Sequence, residues 1–113
     1  MTVKFYEKAT CTSCRKARAL LEERGVAMHR IDLNRGLSEE ELDRLIGGRD
    51  YKLFLNTRNV LFRERDMKRN PPNRPEALRL MSENPNLIKR PVTVAGQRVI
   101  LGFAADELAS LGN

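Results

Sequence analysis

Apolar and polar residues alternate at the start of the chain. Val3 and Phe5 are separated by Lys4 and flanked by Thr2 and Tyr6, the period of two expected of a strand with one buried face. The period then changes: Cys14, Ala17, Leu20 and Leu21 recur at three- and four-residue spacing, the stripe of a helix that Gly25 ends in a left-handed turn. Thr10 is its expected N-cap. Ala27 to Leu33 reads as a second strand, with Met28, Ile31 and Leu33 as its apolar members and Asn34-Arg35-Gly36 as the turn beyond. Strand, helix and strand in that order predict a right-handed parallel unit.

Ser38-Glu39-Glu40-Glu41 has the form of a capping box, since Ser38 can accept from the amide of Glu41 while Glu41 reaches back. Leu42, Leu45 and Ile46 follow at helical spacing, and Gly47-Gly48 ends that element. Tyr51 to Phe62, broken at Asn56-Thr57-Arg58, predicts two short helices, with Thr57 capping the second. Pro71, Pro72 and Pro75 make the next stretch a loop, and Pro75 suits the first position of a helix through Ala77, Leu78, Leu80 and Met81 that Asn84-Pro85 stops. Val92-Thr93-Val94 and Val99-Ile100-Leu101, joined by Ala95-Gly96-Gln97, read as a β-hairpin, and Asp106 to Leu111 as a closing helix. The order predicts an α/β fold, a mixed four-stranded sheet flanked by helices. One domain over 1–113 is expected, with 37–86 as a helical insertion between the two halves of the sheet.

Composition narrows the function classes. At 113 residues the chain can bury one core without disulfides or metal, and 41% apolar with 32% charged residues fits a soluble protein. No apolar run approaches the roughly 18 residues of a membrane span and no signal-peptide pattern opens the chain, so a cytoplasmic protein without a membrane partner is expected. The net charge of +6 is uneven: residues 1–50 carry +1 and residues 51–113 carry +5, which turns the second part toward anions. Aromatic content of 5%, with no groove-reading or stacking motif, argues against direct nucleic-acid recognition. An oxyanion substrate or an acidic protein partner fits the charge better.

The chemistry concentrates at Cys11-Thr12-Ser13-Cys14, the only two cysteines, placed where the first strand turns into the first helix. A Cys-x-x-Cys at such a junction reads as a thioredoxin-like redox motif. A thiol at a helix N-terminus faces unpaired amides and the positive end of the dipole, both favouring thiolate; about 2 kcal/mol takes it from a few per cent to about half ionised at neutral pH. Cys11 is thus the expected nucleophile, with Arg15 and Lys16 expected to push the same way. Cys14, one turn on, is placed to resolve a mixed disulfide on Cys11. A structural disulfide closing so short a loop contributes little. A zinc site lacks ligands, since His29 is the only histidine and no second cysteine pair exists.

The Cys turn, Asn56-Thr57-Arg58, the segment Glu83-Asn84-Pro85-Asn86-Leu87-Ile88-Lys89-Arg90-Pro91, and Gly102 after the hairpin occur in that order. With these motifs the chain resembles the arsenate reductase (ArsC)/Spx family of thioredoxin-fold proteins over nearly its whole length. The resemblance implies a thioredoxin-like (glutaredoxin-like) fold with a cis peptide before Pro91 against the Cys turn. It also implies that Arg58 and Arg90 lie beside Cys11 and bind an oxyanion, a role suited to the forked, permanently charged guanidinium. Thr10, Ser13, Arg15 and Pro91 are the further residues expected at the substrate. The implied activity is that of a thiol-dependent reductase with no bound cofactor, drawing electrons from a donor such as glutathione, thioredoxin or glutaredoxin. A monomer is expected.

Two branches of the family stay open. Single-cysteine arsenate reductases carry a third arginine just after the glycine, where this chain has Phe103. Spx-like redox-sensing transcription regulators carry a Cys-x-x-Cys and an aromatic at that place, bind the C-terminal domain of the RNA polymerase α subunit, and have a tail longer than Ser110-Leu111-Gly112-Asn113. A general disulfide reductase is a third reading of the two cysteines alone.

Overall fold

In the computed structural model, which describes residues 2–112, the alternation at the start of the chain becomes the strand β1 (Thr2–Glu7) and the helical stripe becomes α1 (Thr12–Glu23). Three further strands complete a sheet: β2 (Ala27–Asp32), β3 (Val92–Ala95) and β4 (Arg98–Leu101), in the order β2-β1-β3-β4. β1 pairs parallel with β2, from Thr2 opposite Ala27 to Glu7 opposite Asp32, and antiparallel with β3, which pairs antiparallel with β4. This is the mixed four-stranded sheet flanked by helices that the element order predicts. The second strand stops at Asp32, and Leu33 belongs instead to a 3-10 turn, Leu33–Arg35.

The chain divides into two compact units. One comprises the residues up to Asp32 and those from Arg90 onward; the other is Leu33–Lys89. In the first, Val3, Phe5 and Ile100 on one face of the sheet pack with Ala17 and Leu21 of α1 and with Leu108 of the closing helix α5 (Ala105–Ala109). Phe5 stands opposite Thr93, which stands opposite Ile100, so three strands contribute to that face side by side. The alternation that turns Val3 and Phe5 inward also turns Glu7 inward, and this carboxylate is only 3% exposed.

The second unit is helical, with α2 (Glu39–Ile46), α3 (Val60–Glu64) and α4 (Arg74–Glu83). α2 and α4 pack together, burying Leu42, Leu45 and Ile46 with Ala77, Leu78, Leu80 and Met81. The Ser38 capping box forms: Ser38 Oγ accepts from the Glu41 amide at 3.1 Å and Glu41 Oε1 from the Ser38 amide at 3.3 Å. The two short helices expected in Tyr51 to Phe62 are a 3-10 turn, Tyr51–Phe54, and α3. Asn59, not Thr57, caps α3. The Asn56 side chain accepts from the Arg58 amide at 3.1 Å, which holds 56–58 in a turn and delays the helix. Pro75 occupies the second position of α4, since Asn73 is the cap and Arg74 the first residue. Leu55 bridges Ile88, and the Asn56 and Lys89 amides donate to Leu87 and Phe54 carbonyls at 2.7 Å, tying the Asn56 turn to the segment before Arg90. No helix among the described residues is long and apolar enough to cross a membrane.

Candidate thiol site

β1 ends at Glu7 and the chain turns tightly, the Cys11 amide donating to the Lys8 carbonyl at 2.9 Å. Cys11 itself is the N-cap of α1, with extended dihedrals of φ −74° and ψ 127°. The expected cap, Thr10, is not the cap; it lies outside the helix and is exposed, because the helix starts one residue later than a threonine cap requires. α1 has no conventional side-chain cap, so the Cys11 sulfur stands where a serine or aspartate oxygen ordinarily sits, facing the amide of Cys14.

The two thiols are free, touch one another and differ in environment. Cys11 is half-buried, and that desolvation disfavours its thiolate. The Cys14 amide, the Cys14 thiol and the guanidinium of Arg90, through a hydrogen bond and its charge, together outweigh it, so the Cys11 thiol is held below its ordinary value of 9.0. Cys14 is fully buried, and burial pushes its thiol up to about 12; a backbone hydrogen bond at Lys8 opposes this, while contact with Cys11 and the charge of Glu7 add to it. One sulfur is set up to be charged and its neighbour to keep its proton.

The cation acting on Cys11 is Arg90. Arg15 and Lys16, expected to contribute, are exposed on α1. The Arg90–Pro91 peptide is cis, and the Pro91 carbonyl accepts from the Gly102 amide at 2.8 Å, which anchors the residue before Phe103 to the start of β3. Phe103 is 42% exposed. Ser13 is half-buried in the first turn of α1. Arg58 lies in the second unit, exposed, on the turn that Asn56 holds. Among the described residues no group of three or more His, Cys, Asp or Glu could hold a metal ion.

Sequence reasoning passed over Glu7. Its carboxylate pairs with Arg18 of α1 through one oxygen and with Arg30 of β2 through the other. The signal was present in the period of two, which places residue 7 on the same face as Val3 and Phe5.

A parallel β1-α1-β2 unit with an antiparallel hairpin beside it, a Cys-x-x-Cys opening α1 and a cis proline leading into β3 define a thioredoxin-like protein. Comparison with known proteins agrees. The chain belongs to the ArsC family, whose profile matches residues 6–111. It is 37% identical over 112 residues to the uncharacterized protein YusI of Bacillus subtilis (strain 168), covering 95% of each chain. It is 33% identical to the global transcriptional regulator Spx of Streptococcus mutans (serotype c, strain ATCC 700610 / UA159), covering 94% of this chain and 80% of that one. Among solved structures it is similar to an arsenate reductase from Vibrio cholerae, with a TM-score of 0.84, 27% identity and 97% of each chain covered.

Proposed function

We propose that this protein is a dithiol redox protein in which Cys11 is the nucleophile and Cys14 resolves it, acting as a reductase on an oxyanion or thiol substrate. The observation that carries the reading is the opposed state of two touching sulfurs, Cys11 held toward thiolate beside Arg90 and Cys14 held as thiol. With arsenate as substrate, the Cys11 thiolate attacks arsenic and displaces water, giving a sulfur–arsenic bond. Cys14, losing its proton, then attacks the Cys11 sulfur; the Cys11–Cys14 bond forms, the sulfur–arsenic bond breaks, and arsenite leaves with the electron pair. Two thiols are oxidised as arsenic is reduced by two electrons. A thiol donor of the glutathione, thioredoxin or glutaredoxin kind then reduces the disulfide. Arg90 holds the anion and the thiolate, and Thr10, Ser13, Arg15 and Pro91 complete the substrate surface. Arg58 is proposed as a second anion ligand on the strength of the family resemblance.

Incubating reduced protein with arsenate and each donor tests this. Arsenite release is expected, with total loss in Cys11→Ser and, in Cys14→Ser, arsenic held on the Cys11 sulfur with no internal disulfide formed. No arsenite with any donor overturns the arsenate reading, and reduction of an insulin-like disulfide by the same samples would mark a general disulfide reductase.

A second reading has its own support in the likeness to the regulator Spx and in the exposed Phe103 tethered through Gly102 to Pro91. On it, formation of the Cys11–Cys14 disulfide alters a surface that binds the C-terminal domain of the RNA polymerase α subunit. Redox-controlled capture of that domain is the expected result; equal capture, or none, by oxidised and reduced protein rejects it.

A further inference from the structure

A buried carboxylate is the least expected feature of the first unit. Glu7 is 3% exposed, whereas glutamate is almost never fully buried unless paired, and a well-packed apolar residue there would be as stable or more so. Two arginines hold it from two directions, Arg18 from α1 with 18% of its side chain exposed and Arg30 from the edge strand β2 with 50%. The cluster sits against the thiol pair: the neighbouring residue, Lys8, makes a backbone hydrogen bond with the Cys14 sulfur, and Arg18 lies one turn beyond Cys14 on the same face of α1.

We propose that Glu7, clasped by Arg18 and Arg30, is a positioning residue for the thiol pair: its buried carboxylate at the end of β1 adds to the effect of burial in reserving Cys14 as the resolving thiol and leaving Cys11 as the sulfur that reacts first. This rests on the dithiol reading above. The groups that act on Cys14 are Glu7 from β1, Cys11 at the cap of α1 and Lys8 through its backbone, with Arg18 of α1 and Arg30 of β2 acting through Glu7 and Arg90 through Cys11. Of these, Glu7 and the Cys11 thiolate carry negative charge, and both oppose ionisation of Cys14. The two arginines moderate Glu7, so removing the carboxylate and removing one arginine must move Cys14 in opposite directions. A role confined to holding β1, α1 and β2 together gives no such opposition.

The test titrates Cys14 by ultraviolet thiolate absorbance in the Cys11→Ser protein, where Cys14 is the only cysteine. Glu7→Gln is expected to lower the midpoint by about one pH unit, and Arg30→Gln to raise it. Equal midpoints in all three proteins, or shifts of the same sign, overturn the proposal. Should Glu7→Gln fail to fold, Arg30→Gln alone still decides, since its side chain is half exposed and an unmoved midpoint there is equally fatal. A kinetic arm uses both cysteines. An aromatic disulfide reagent forms a mixed disulfide on Cys11; Cys14 loses its proton to water and attacks the Cys11 sulfur, the internal disulfide forms, and the aromatic thiolate leaves with the electron pair. At neutral pH, Glu7→Gln is expected to release that second thiolate about threefold faster, because a tenfold gain in Cys14 thiolate is partly offset by its weaker nucleophilicity. An unchanged or slower release overturns the proposal. If the wild-type protein closes no internal disulfide, the dithiol reading has failed, and the midpoints in the Cys11→Ser background still judge Glu7 separately.

Discussion

After the amide and thiol of Cys14, Arg90 is the group that favours the Cys11 thiolate, both by a hydrogen bond to the sulfur and by the permanent charge it places beside it. In Arg90→Met the Cys11 thiol is expected to move back toward its ordinary value, so the pH profile of alkylation by iodoacetamide moves up and the rate at neutral pH falls. A profile that stays in place assigns the activation to the Cys14 amide and thiol. Along β3, Thr93 is fully buried and its hydroxyl has no hydrogen-bond partner among the described residues. Valine keeps the shape and removes the unsatisfied group, so Thr93→Val is expected to raise stability by about 1 kcal/mol in urea denaturation; a loss of stability would show the hydroxyl to be engaged. The cysteines and arginines announce themselves in the sequence by chemistry. Glu7 and Thr93 do not, because a polar residue in an alternating strand reads as solvent-facing until the phase of the alternation is followed to its end.

Capping separates the reactive helix from the others. α2, α3 and α4 each start on a side chain that accepts from the backbone, Ser38, Asn59 and Asn73, while α1 starts on a cysteine. Serine is among the best caps, so Cys11→Ser should abolish redox chemistry and yet stabilise the protein by about 1 kcal/mol at acid pH, where Cys11 is a thiol. The gain depends on pH. The folded-state value of Cys11 lies below its unfolded one, so the stability its thiolate contributes is present at high pH and lost as pH falls through the folded value. Thermal unfolding of the two proteins from pH 5 to pH 9 should therefore show the serine advantage shrinking as pH rises; a constant difference excludes the sulfur as a cap. The Ser38 box is legible because both of its partners lie within four residues. Thr10 and Thr57 have the chemistry of caps but not the position, because the true start of each helix is fixed by something pattern alone does not show. At α1 it is the turn closed from Cys11 to Lys8; at α3 it is the Asn56 side chain holding the Arg58 amide.

At the scale of the molecule, the strand periods and the hairpin make a mixed four-stranded sheet readable, but not its order. That order places β1 between a parallel and an antiparallel neighbour and leaves β2 at the edge, which follows from where the chain re-enters the sheet at β3 after the helical unit Leu33–Lys89. Helical periodicity in Leu42 to Met81 says nothing of that return; the cis Arg90–Pro91 peptide marks it. Global stability also registers the thiol pair. Cys14 has a folded-state value of about 12 against an ordinary 9.0, so the folded protein keeps a proton that the unfolded chain gives up. A raised value contributes stability that is fully present below pH 9 and lost progressively as pH climbs toward 12. Lysines and tyrosines titrate in the same range, so the informative quantity is a difference. Between pH 9 and pH 11 the unfolding free energy of the wild-type protein should fall more steeply than that of Cys14→Ala, measured in denaturant under reducing conditions. The alanine protein starts lower because of the space it leaves in the core, and the two curves should converge as pH rises. Parallel curves would mean that Cys14 ionises in the folded protein as readily as in the unfolded chain, and with that the assignment of opposite charge states to the two sulfurs would be lost.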